Sequence, residues 1–228
     1  MAGFGTESLI LRGPTGITDQ STAGNNDTYN GGMGVTSGRF VLDRVDDYIS
    51  IPDAASLQGG TGDFCVGAWV VVDNVSPGGA QANTVFSKNY IGIELYVYQG
   101  TAACYIGGTA NQVQSASILS SATLYHIVAT RSGSSCVLYV DGVSVATATN
   151  SSSISNVGAG VSIGKRQDYA PTTLFFGGQI SDVRFITGGT LTAGQVADWY
   201  AAGEDYDVAI GNPTGNLQNN LQSMRLGL

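Results

Sequence analysis

Short apolar runs rich in Val, Ile, Tyr and Phe alternate along the chain with clusters of Gly, Asn, Asp and Ser. That pattern predicts many short strands separated by turns. The strongest run is 64–72. Phe64, Val66, Ala68 and Val70 form one face, and Cys65, Gly67 and Trp69 the other. Both faces are hydrophobic or small, so both are expected to be covered. Residues 91–98 and 103–106 predict neighbouring strands turning at Gln99-Gly100. Residues 124–130 and 136–140 flank a loop at 132–135. Asp141-Gly142 is a tight-turn pair that leads into a strand at 143–147. Residues 161–164 and 175–186 supply later strands.

One helix interrupts this pattern, over 192–202. Thr192 is placed to cap it, and Gln195, three residues on, to reach back to the cap. Val196, Trp199 and Tyr200 follow at helical spacing and can dock on a sheet. Gly203 closes the helix. The fold class predicted is all-β: a two-sheet antiparallel β-sandwich with one short C-terminal helix.

Composition narrows the class. The chain has 228 residues, 33 of them Gly, about twice the usual share of ~7%. The glycines show no three-residue repeat, which excludes collagen. Hydrophobic residues make up 43% and charged residues 11%, enough apolar surface for a packed core and too little charge for charge-driven disorder. The net charge of −8 leaves no basic stripe for a nucleic-acid backbone or an anionic membrane. No apolar run is long enough to insert into a membrane. The N-terminus lacks the pattern of a secretory signal, so synthesis and assembly in the cytosol are expected. Residues 1–7 and 204–228 are read as polar arms, and 8–203 as the domain.

Little here resembles catalytic machinery. The one His, His126, falls within a strand and reads as structural. No Ser lies in a nucleophile elbow. The three Glu are Glu7, Glu94 and Glu204. Cys65, Cys104 and Cys136 read as buried free thiols. Trp69 and Trp199 read as core, whereas Tyr29, Tyr90, Tyr169 and Tyr206 fall in or beside loops and are surface candidates.

The order of motifs carries a resemblance. Residues 40–53, Phe-Val-Leu-Asp-Arg-Val-Asp-Asp-Tyr-Ile-Ser-Ile-Pro-Asp, resemble the opening motif of laminin-G-like, concanavalin-A-like jelly-roll domains. Residues 63–70 resemble the next strand, 124–130 the Trp-His-His-Val strand with Tyr125 in the place of Trp, and 138–143 the central hairpin. Residues 161–164 are similar to the Ile-Gly strand, and 176–185 to the last strand before the closing helix. One departure is Arg44, where the family usually has Gly. The resemblance spans about residues 8 to 203 and implies a jelly roll.

The same resemblance implies that calcium is the one cofactor to consider. Family members often hold one near the polar loop before the opening motif, here residues 18–26. Asp19 and Asn25 lie in that loop, Asp182 in a segment that often approaches it, and Asp46 and Asp47 are further candidates. The glucanase Glu-x-Asp-x-x-Glu motif is absent, since Tyr96 and Gln99 follow Glu94. The expected function is non-catalytic: a phage-type virion subunit, as capsid decoration or tail appendage, on the virion surface. Its expected partners are capsid or tail proteins and surface glycans, with no nucleic acid and no membrane insertion. The alternative is an extracellular carbohydrate-binding or adhesion module with a calcium-stabilised loop.

Overall fold

The computed structural model describes residues 6–11, 19, 21, 23–78, 81–89, 92–108, 112–154, 158–167 and 174–204. The strands run β1 (Thr6–Leu11), β2 (Thr28–Asn30), β3 (Gly34–Thr36), β4 (Arg39–Asp43), β5 (Tyr48–Ile51), β6 (Phe64–Val72), β7 (Asn83–Lys88) and β8 (Ile93–Tyr98). They continue as β9 (Thr101–Ile106), β10 (Gln112–Gln114), β11 (Leu124–Ser132), β12 (Ser135–Val140), β13 (Val143–Thr149), β14 (Val161–Ile163) and β15 (Gly177–Thr187). One α-helix, α1 (Ala193–Ala202), follows. No helix among the described residues is long and apolar enough to cross a membrane.

The strands form two antiparallel sheets. Sheet A has the order β13-β12-β11-β6-β15-β4-β3, with β1 also paired to β15. Sheet B has the order β10-β9-β8-β7-β14-β5-β2. Alternation decides which side chains meet between them. Phe64, Val66, Ala68 and Val70 point into the sandwich with Phe86, Leu95, Ile163 and Phe185. Phe86 of sheet B and Phe185 of sheet A meet with ring centroids 4.9 Å apart. The expected all-β sandwich with its C-terminal helix is what the chain forms.

The turn chemistry follows the sequence closely. Asp141 and Gly142 both take positive φ, 50° and 76°, which matches the right-handed twist of the β12–β13 hairpin. Arg44 adopts φ 67°, the conformation for which Gly is favoured. The departure from the family pattern therefore changes the side chain and keeps a Gly-like backbone. It also gives Arg44 a role, because its guanidinium donates to Asn83 Oδ1 at 2.7 Å and the Asn74 carbonyl at 3.2 Å.

Several elements were not legible beforehand. β7 and β10 are short and only partly apolar, and their assignment comes from the neighbours they pair with. The stretch read as an N-terminal arm, 1–7, ends in strand: Thr6 pairs with Thr187 and Glu7 with Ile186. Residues 1–5 lie outside the described residues. The stretch read as a C-terminal arm begins at an anchored residue. Glu204 accepts from Arg39 at 2.6 Å and from the Ser181 hydroxyl at 2.6 Å, on the outer face of sheet A.

Candidate functional site: two outer faces with different fates

Each sheet has an outer face, and the two differ in what covers them. On sheet A the cover is α1. Thr192 and Gln195 form the capping box, with the Gln195 amide donating to Thr192 Oγ1 and the Thr192 amide to Gln195 Oε1. Val196 and Trp199 then pack on Cys65, Val128, Tyr139 and Ile186. Gly67 makes this possible: a Cβ there would lie 3.0 Å from the Trp199 ring and 2.7 Å from Val128. The second apolar face of β6 is thus covered by the helix.

This layer buries unusual polar chemistry. A bulge in β15 between Ser181 and Arg184 turns Asp182 (φ 45°) toward the helix. Its carboxylate accepts two bonds from Arg184, at 2.7 and 2.8 Å, and one from the Trp199 indole N–H at 2.7 Å. His126 is fully buried beside them, 4.4 Å from Trp199 and 4.9 Å from Trp69 by ring centroids. Neither of its ring nitrogens has a hydrogen-bond partner. Burial, reinforced by the Arg184 charge, pushes its pKa down to about 3. An imidazole this enclosed lies out of reach of a solvent-borne substrate, and its lowered pKa makes it a weak base. Burial likewise pushes the Cys65 thiol up to about 12, and all three cysteines are buried and free.

The outer face of sheet B is built differently. Ile93, Leu95 and Val97 point into the core, so Glu94, Tyr96 and Tyr98 point out. Register places Tyr105 opposite Glu94, and Gln112 opposite Tyr105. The Tyr96 and Tyr105 rings lie 4.7 Å apart, and the Tyr96 hydroxyl donates to Gln112 Oε1 at 2.7 Å. Tyr98 and Tyr105 are half-buried, while Gln112 and Gln114 are exposed. The face therefore presents ring surface beside amide groups.

Beneath this face lies a buried ion pair. Arg166, from the segment after β14, meets Glu94 at 2.7 Å and places its guanidinium 6.0 Å from the Tyr105 ring centre. The Thr84 hydroxyl donates to the other Glu94 oxygen at 2.7 Å. Burial raises the Glu94 carboxyl, while Arg166 and Thr84 pull against that rise. Among the described residues, Glu94 is the one carboxylate that the strands of sheet B carry on this face. Glycoside hydrolysis by paired carboxylates needs a second, about 5–10 Å away.

The predicted surface tyrosines do not make this face. Tyr29 is half-buried against Phe40, with ring centroids 6.0 Å apart, and its hydroxyl is buried without a partner. Burial, with Asp27 nearby, drives its pKa upward. Tyr90, Tyr169 and Tyr206 lie outside the described residues. What could have flagged the face is the alternation Glu94-Leu95-Tyr96-Val97-Tyr98, which puts three polar-tipped side chains on one side of a strand.

The calcium candidates separate. Asp19 accepts from the Ile10, Ser21 and Asn25 amides, the Ser21 hydroxyl and the Asn25 side chain, all at 2.7–2.9 Å. Asn25 Oδ1 accepts from Ser56 at 3.2 Å. Asp182 is taken by Arg184 and Trp199. With their oxygens occupied by protein donors, Asp19, Asn25 and Asp182 do not fit a calcium cage, which needs six to eight oxygens turned toward one point. Asp46 and Asp47 lie elsewhere, in the turn between β4 and β5.

The fold has known counterparts. The chain is similar to the binding domain of Paraclostridial Mosquitocidal Protein 1 (TM-score 0.70, 14% identity, 86% of this chain and 52% of that one). It is also similar to the botulinum neurotoxin serotype C1 binding domain (TM-score 0.66, 9% identity, 88% and 53%). A third counterpart is the receptor binding domain of the botulinum neurotoxin C/D mosaic serotype (TM-score 0.63, 11% identity, 87% and 51%). The chain spans about half the length of these structures, and at such identities the likeness is one of fold. No curated protein sequence matches the chain. A laminin-G-type family described as the concanavalin A-like lectin/glucanases superfamily matches residues 43–197. That match covers well over half of the sequence, from the Asp43 turn into α1, and the chain belongs to this superfamily.

Proposed function

We propose that this chain is a non-catalytic binding module that holds a surface glycan, or a receptor bearing one, across the β8–β10 end of sheet B. The observation that carries the reading is the outward set of Tyr98, Tyr105, Gln112 and Gln114 on three adjacent strands. Sugar rings offer C–H faces to aromatic side chains and hydroxyls to amides, so a platform of this composition suits them. The Glu94–Arg166 pair supports Tyr105 from below and fixes the platform before any ligand arrives, which lowers the ordering cost of binding. The receptor-binding role printed for one structural counterpart is in keeping with the reading.

A glycan array displayed at high density tests it. Binding that falls at least about tenfold in Tyr105→Ala, with the fold retained, is the expected result. A wild-type chain that binds no glycan overturns the reading.

Docking on a larger particle, such as a virion, is the second reading, favoured by Glu204. The chain passes residue 204 on the outer face of sheet A, opposite the tyrosine platform. A subunit attached to capsid or tail proteins through residues beyond 204 would turn sheet B outward at the particle surface. Many copies would then add avidity to a weak sugar contact. Cross-linking in the native particle should join residues beyond 204 to the partner; links from the tyrosine platform instead would count against it.

A further inference from the structure

The strands that carry the tyrosine platform are almost without charge. From Asn89 to Thr130 the chain has no Lys, Arg or Asp, and Glu94 is the one Glu. That stretch includes all of β8, β9 and β10. Glu94 is already matched by the buried Arg166. On the neighbouring strand β7, Lys88 is fully buried and donates to Asp53 at 2.6 Å and to the Ala159 carbonyl at 2.7 Å. Lys165 lies over the Tyr48 ring at 4.3 Å, on the β5 side of the sheet. Among the described residues, the β8–β10 face therefore offers an anionic ligand no uncommitted cation, in a chain whose net charge is −8.

Pressing a sialate, uronate or sulfate against that face would strip water from its charge and return no counter-charge. Recognition of such groups ordinarily uses an Arg fork or a Lys. Sugar hydroxyls are each donor and acceptor, and ask only for hydrogen-bonding groups of both kinds. β10 supplies both. Gln112 gives its carbonyl to the Tyr96 hydroxyl and keeps its N–H groups for a ligand. Gln114 donates to the Thr101 hydroxyl at 3.1 Å and keeps its carbonyl. Both are exposed, two positions apart on one strand and so about 7 Å from each other.

A second observation sets the length of the ligand. Tyr98 pairs with Thr101, and Tyr105 lies four residues further along β9. The two half-buried tyrosines therefore stem from positions about 13–14 Å apart along the strands, farther than one pyranose ring extends. Ala82, Tyr96 and Ala103 close the floor between them.

We propose that the ligand is an uncharged oligosaccharide of two or more rings, laid along β8 and β9 from Tyr105 to Tyr98 with hydroxyls turned to Gln112 and Gln114. The inference rests on the glycan reading of this face and narrows it to a charge class and a length.

Matched oligosaccharides with and without a terminal sialic acid or sulfate, displayed at equal density, test it. The neutral member of each pair should bind the full chain, and its anionic counterpart at least about tenfold more weakly. Binding of the neutral member should persist to about 0.5 M sodium chloride, because it uses no ion pair that salt could screen. In solution a neutral tri- or tetrasaccharide should compete at least about tenfold better than its own monosaccharide. Gln114→Lys, at an exposed position, should narrow the neutral-to-anionic ratio at least about threefold, with the melting transition retained. Anionic members bound by the wild type as well as the neutral ones would overturn the charge class and leave the glycan reading standing. Equal competition by the monosaccharide would overturn the length. Binding to no glycan at all would overturn the inference together with the reading beneath it.

Discussion

The Trp199 indole N–H donates to Asp182 at 2.7 Å, inside a layer from which water is excluded. The bond joins the closing helix to the β15 bulge. The same carboxylate holds Arg184, whose guanidinium lies 4.6 Å from the centre of the Trp199 ring. Helix, bulge and buried cation are therefore one unit, and the sandwich depends on it to cover the outer face of sheet A.

Removing the carboxylate should expose that dependence. Asp182→Ala takes from the buried Arg184 the carboxylate to which it donates two hydrogen bonds and should cost about 3–5 kcal/mol. Adding Arg184→Met should recover part of the loss, because the buried charge goes with it. Urea denaturation of the two single variants and the double variant checks the coupling. Strictly additive losses would contradict the unit described above.

His126 makes the same layer sensitive to acid. Its folded pKa, about 3, lies below its unfolded value of about 6.5. Both states are neutral above pH 6.5, so the group contributes nothing there. As pH falls from about 6.5 toward 3, the unfolded state binds the proton and the folded state does not, so stability falls. At pH 5 the loss from this group is about 2 kcal/mol. Unfolding curves at pH 7 and pH 5 for wild type and His126→Leu should show a smaller pH-dependent drop in the variant.

Gly142 sits where the β12–β13 turn meets the helix. Its φ is 76°, and an added Cβ would lie 3.1 Å from Tyr200 Cβ and 3.3 Å from Ala197 Cα. Gly142→Ala should therefore cost about 1–2 kcal/mol from the backbone conformation alone. Crowding of the helix would add to this. Near-ultraviolet circular dichroism should report altered packing around Trp199.

Tyr105 separates binding from folding. It is half-buried and its ring lies 4.7 Å from that of Tyr96 in a tilted arrangement, so Tyr105→Ala should lower stability by about 1–3 kcal/mol. Glycan binding should fall much further than that. Loss of binding caused by unfolding would show as a collapsed melting transition at the assay temperature, which is not expected.

Local periodicity and turn chemistry settled a large part of this protein in advance. The two faces of β6, the Asp141-Gly142 turn, the Thr192–Gln195 cap and the Trp199 stripe were all legible. Each depends on residues within a few positions of one another. The motif order in 40–185 added the jelly roll, and the scarcity of Glu pointed to binding over cleavage. Long-range pairing settled the rest. Asp182 read as a calcium candidate because the matching segment of the family often approaches the calcium loop. Only the bulge, set by pairing to β6 more than 100 positions earlier, turns it toward Trp199 and Arg184. Tyr29 read as a loop aromatic and is packed on Phe40, because β2 pairs with β5 and not with its sequence neighbours. Glu94 read as the remnant of an absent motif. It became the base of the candidate ligand face once Arg166, 72 positions along the chain, was brought against it. The sequence determined which side chains alternate. Tertiary pairing decided which of them share a face, because that depends on register between strands that no local pattern encodes.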